Sequence, residues 1–71
     1  EAEVEEVEEG LYQVTLRDPR TGRPFLVVIL AYSPGWVSPV TYMGHGVLDE
    51  ELLRSLYPRI VERLRSSSSS R

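Results

Sequence analysis

His45 is the only histidine in the chain and stands between Gly44 and Gly46. Flanking glycines let a ligand approach the backbone closely, and an imidazole exchanges protons near neutral pH. Acid–base or nucleophile-activating chemistry would need a partner for it. The chain has no cysteine and no serine-nucleophile motif, and the nearest hydroxyls, Thr41 and Tyr42, belong to a strand-forming run. Among the acids, Asp49, Glu50 and Glu51 are explained as a helix cap and first turn, and Glu62 sits among arginines. Paired carboxylates need an enclosing pocket to separate their pKa values, and a fold this small scarcely provides one. No P-loop, GxGxxG or metal-loop spacing is present. The expectation is a non-enzyme with no cofactor, no metal and no small-molecule substrate.

The arginines offer a second chemistry. Arg17, Arg20 and Arg23 gather around one turn, and Arg54, Arg59, Arg63 and Arg65 line a helical stretch; guanidinium groups so placed can contact phosphates. Tyr12, Trp36, Tyr42 and Tyr57 could stack on bases, although three of the four lie in runs that need apolar cover. Nucleic-acid binding through Arg17, Arg20, Arg23, Arg59 and Arg63 is therefore the alternative function. The acids of the N-terminus count against it, since they compete for the same cations.

Composition bounds the rest. The 71 residues carry a net charge of −3, but six of the eleven acids fall within Glu1–Glu9. The remaining five acids against eight arginines leave a body of +3. One core in a chain of this length rarely supplies more than roughly 3–5 kcal/mol without a staple. With no cysteine and one histidine, neither a disulfide nor a thiolate or His-rich zinc site can serve. Association with a partner remains. The absence of cysteine fits a reducing, cytoplasmic compartment. The chain opens on an acidic stretch rather than a signal peptide, and on Glu1 rather than methionine, which predicts a processed, trimmed or excised product and leaves a removed signal as the alternative. All basic residues are arginine and asparagine is absent, a bias that suggests a thermophilic or GC-rich source.

The elements that position these residues are organised around Phe25–Tyr32, eight apolar residues rich in β-branched and aromatic types. This reads as a short strand buried on both faces, and it is too short to span a membrane. Before it, Leu11–Arg17 alternates as a half-buried strand, and Asp18-Pro19-Arg20-Thr21-Gly22 supplies turn chemistry. A four-residue loop, Pro19 to Gly22, sets Asp18 opposite Arg23 and pairs Leu16 with Phe25, Val14 with Val27 and Tyr12 with Ile29 on one face. After it, Trp36–Met43 is strand-forming but contains Pro39, which suits an edge. Asp49 caps a helix whose apolar stripe runs through Leu52, Leu53, Leu56, Tyr57, Ile60, Val61 and Leu64. Pro58 lies inside that stripe and predicts a kinked or split helix.

The predicted fold is thus α+β: a β-hairpin extended to a three-stranded antiparallel meander, then a C-terminal helix. Residues 1–9 read as a flexible acidic arm, 10–65 as one domain and 66–71 as a disordered serine tail. An edge-strand extension, or an acidic ligand for a basic partner, is the alternative for the arm. The helix covers the Tyr12, Val14, Leu16, Phe25, Val27, Ile29 face. That leaves Leu11, Gln13, Leu26, Val28 and Leu30, with Trp36, as the expected interface of a protein-interaction subunit. Three uncovered aliphatic side chains forgo on the order of 5–9 kcal/mol, so a homodimer, or another protein, is expected to close that face; the alternative is that the Glu1–Glu9 arm or the third strand folds over it and keeps the chain monomeric.

Overall fold

The computed structural model describes residues 2–69, the side chains of residues 67–69 excepted. Strands β1 (Ala2–Glu8), β2 (Leu11–Arg17), β3 (Pro24–Ser33) and β4 (Trp36–Gly44) form one antiparallel sheet in chain order, and helix α1 (Glu50–Ser69) follows. The fold is α+β, with β3 inside the expected β2–β3–β4 meander. Among the described residues no helix is long and apolar enough to cross a membrane.

The acidic arm is the first departure, because it is a fourth strand. β1 runs antiparallel to β2 from Ala2 opposite Leu16 to Glu8 opposite Leu11, with a bulge at Val7. Repulsion among glutamates argued for disorder, but an edge strand holds these side chains in water. Glu3, Glu5, Glu6 and Glu8 are all exposed, while Ala2 and Val4 pack on the core. Glu3 also pairs with Arg17 at 3.2 Å.

The second departure is register. The turn forms as its residues predict: the Asp18 N–H donates to the Arg23 carbonyl at 2.9 Å, the Gly22 N–H to the Asp18 carbonyl at 2.7 Å, and Arg17 lies opposite Pro24. Beyond that point Phe25 is bulged out, and Leu16 meets Leu26, Val14 meets Val28 and Tyr12 meets Leu30. Pro24 brings no N–H to the ladder, and the Phe25 carbonyl is taken from the other side by the His45 N–H at 2.7 Å. One extra residue turns every following side chain to the opposite face. Leu26, Val28 and Leu30 are consequently the interior of β3, whereas Val27 and Ile29 face away from the helix and Phe25 is exposed.

The core lies between that face and α1. Tyr12, Val14, Val28, Leu30 and Val37 from the sheet meet Leu53, Leu56 and Ile60 from the helix. The helix starts where Asp49 caps it, its carboxylate accepting the Leu52 N–H at 2.9 Å. It then runs through Pro58 as one element to Ser69, so the stripe is not divided. Pro58 leaves the Arg54 carbonyl without its helical donor, and both residues are exposed, which lets water replace the bond. The helix thus continues into the serine run expected to be disordered; residues 70–71 of that run lie outside the described residues. Tyr57 fastens the middle of α1 to the β3–β4 turn by stacking on Tyr32, with centroids 5.9 Å apart, and by accepting the Gly35 N–H at 2.7 Å.

Candidate functional site

One helix covers one face of the sheet, and the other face is open. Directly opposed residues of antiparallel strands share a face, so the pairings lay the open face out as a grid. One row runs Glu3, Thr15, Val27, Met43; the next runs Glu5, Gln13, Ile29, Thr41; a third joins Leu11, Ala31 and Ser38. Polarity changes across the grid, from carboxylates on β1 through mixed side chains on β2 to aliphatic ones on β3. At the far end Met43 is 73% exposed. Gln13, Val27, Ile29, Thr41, Tyr42 and Met43 line a shallow depression of about 440 Å³. An apolar centre with charge at its rim is the anatomy of a protein-binding surface.

The expected interface residues divide. Leu11 and Gln13 lie on the open face, as the alternation of β2 required. Leu26, Val28 and Leu30 are corrected: all three are buried, Val28 and Leu30 completely and within the cluster that α1 covers, Leu26 outside that cluster. Trp36 is half-buried and packs against the core cluster. Val27, Ile29, Ala31 and Met43 take the places that sequence reasoning assigned to the other half of β3. Pro24 was the one signal that could have revealed this, as a residue unable to donate where the ladder begins.

Among the described residues the arginines do not form a basic face. Arg17 is held by Glu3 and by the Gly22 carbonyl, to which it donates at 2.9 Å. Arg20 and Arg23 stand exposed on the β2–β3 loop. Arg63 shares a depression with Glu3, Glu5 and Arg17, so carboxylates are interleaved with the cations there. Arg59 and Arg63 together line the adjoining groove between β1 and α1, with Glu62 beside them. Arg54 pairs with Glu50 at 3.3 Å within the helix.

His45 is exposed, and its backbone rather than its imidazole is engaged, through Phe25. Among the described residues no group of three or more histidines or carboxylates could hold a metal ion. Two phenols are perturbed. Burial, reinforced by the Glu6 carboxylate and opposed by Arg63, raises Tyr12 above the ordinary 10.0. Tyr32 is raised above 10.0 first by its hydrogen bond with Tyr57, then by burial and by the neighbouring phenols. Both belong to the packing of helix on sheet. No protein-family model, curated protein or solved structure matches the chain, so its role is argued from the open face.

Proposed function

We propose that this chain is a non-catalytic protein–protein interaction subunit that self-associates through the open face of its sheet. The observation that carries the reading is the side-chain grid: Leu11, Val27, Ile29, Ala31 and Met43 are apolar and left uncovered by α1. A second copy suits this surface because the apolar centre carries no charge that a copy would leave unpaired. The glutamates of β1 stay at the rim, where water screens them. The gain is needed, since a core this small supplies little stability alone. A cysteine-free chain is at home in the reducing cytoplasm, which is the setting we assign to it.

Light scattering on wild type and Ile29→Glu tests the reading. Ile29→Glu puts a carboxylate in the centre of the face without touching the interior, so the monomeric fold is retained while the mass falls. A wild-type chain that stays monomeric from micromolar to millimolar concentration would overturn self-association. Unchanged mass in Ile29→Glu would move the contact elsewhere.

A further inference from the structure

The sheet has two free edges, and they are built in opposite ways. β1 carries four glutamates in seven residues, and its only large hydrophobic exposed beyond half is Val7, at the bulge. β4 has no charged residue in nine, and Val40, Tyr42 and Met43 are 59%, 55% and 73% exposed. Free edges offer unpaired N–H and C=O groups to other chains, and proteins commonly block this with charge, proline and bulges. β1 is blocked along its length. On β4 the only such devices are Pro39 and the neighbouring bulge at Val40, which leave Thr41–Gly44 unobstructed.

The hydrogen-bonding phase of that end can be read. His45 N–H bonds inward to the Phe25 carbonyl. Bonded and non-bonded pairs alternate along an antiparallel ladder, so Met43 and Thr41 also bond inward, opposite Val27 and Ile29. Tyr42 and Gly44 then direct their N–H and C=O groups away from the sheet. From the other end, the two-residue Pro34-Gly35 loop closes on the pair Ser33 and Trp36. The same alternation from that bonded pair puts Pro39 at an outward position, where its missing N–H costs the β3 ladder nothing.

We propose that the Thr41–Gly44 segment of β4 pairs antiparallel with the same segment of a second copy, about a two-fold axis perpendicular to the sheet. Two four-stranded sheets then become one of eight strands, and Tyr42 and Met43 are covered by their counterparts. Charge selects this edge. Pairing β1 with β1 would set four carboxylates against four, and pairing β1 with β4 would extend head to tail without closing. The edge axis is perpendicular to the sheet and the face-to-face axis runs parallel to it; with the two axes intersecting, the two contacts together close as a tetramer of D2 symmetry. The tetramer rests on the self-association through the open face proposed above; the edge pair does not.

Light scattering on four forms of the full chain, with far-UV circular dichroism to verify folding, separates the contacts. Wild type should contain four chains. Tyr42→Pro, which removes an outward N–H and no inward one, should contain two; Ile29→Glu should also contain two, and the double variant one. A Tyr42→Pro chain with wild-type mass overturns the edge pair while leaving the face contact standing. An Ile29→Glu chain with wild-type mass overturns the face contact instead. Amide exchange on wild type needs no variant. The Tyr42 and Gly44 amides should be protected in concentrated solution and become fast on dilution, and fast exchange at every concentration would overturn the edge pair.

Discussion

Replacing Val28 and, separately, Val27 by alanine interrogates the bulge at Phe25, because these adjacent residues face opposite sides of the sheet. Val28 is fully buried between Val14 and the helix stripe, whereas Val27 is half-buried on the open face. Truncating Val28 removes two methyl groups, a transfer loss of about 1.6 kcal/mol at ~0.8 kcal/mol per carbon. A closed cavity of roughly 50 Å³ adds about 1.2 kcal/mol at ~24 cal/mol per Å³. The expected cost is therefore about 3 kcal/mol, most of what a domain this small holds in reserve. Val27 loses about half of the transfer term and leaves no closed cavity, so its cost should stay below about 1 kcal/mol. Urea unfolding with an unchanged slope measures both, and thermal midpoints should fall by roughly 4–8 °C per kcal/mol. Any further loss at Val27 that comes from self-association grows with protein concentration, and the Val28 loss does not. If at low concentration Val27→Ala costs about 3 kcal/mol and Val28→Ala less than about 1 kcal/mol, the register without the bulge is correct and the face assignment fails.

Gly44→Ala should cost about 2 kcal/mol in the same urea assay, because φ is +120° there and an added Cβ would strike the Phe25 carbonyl oxygen; a loss below about 0.5 kcal/mol would show that this close approach is absent. At alkaline pH the sign follows from the raised Tyr32 phenol. The folded state holds its proton more tightly than the unfolded one, so this contribution is complete below the unfolded pKa and disappears as pH rises through the folded value. Stability should be level from pH 7 to 9 and decline above the ordinary 10.0, less steeply in Tyr32→Phe; equal slopes in the two proteins would contradict the raised Tyr32 phenol.

Which features were legible in the sequence depended on whether the pattern carried a phase. β2 alternates, so Tyr12, Val14 and Leu16 were placed on the covered face and Leu11 and Gln13 on the open one. The Asp18–Gly22 turn and the Asp49 cap are set by local chemistry and formed as expected. β3 is apolar at every position from Phe25 to Tyr32 and has no alternation to report which side is inward. Its face was therefore inferred from the turn alone, and one bulged residue beside Pro24 reversed it. The N-terminal glutamates were weighed first as charges in solution, and the edge-strand extension that ranked second is the arrangement found, with Val4 packed inward and Glu3 reaching Arg17. In both places a tertiary neighbour supplied what composition and periodicity lacked.

The most direct measurement of the interaction surface is an isotope-filtered NOE experiment on a mixture of labelled and unlabelled chains, which records contacts between copies alone. Intermolecular NOEs from the methyl groups of Val27, Ile29 and Met43, with none from Val28 or Leu30, are the predicted result. An associated sample whose intermolecular NOEs arise elsewhere and spare Ile29 would contradict the open face as the site of self-association.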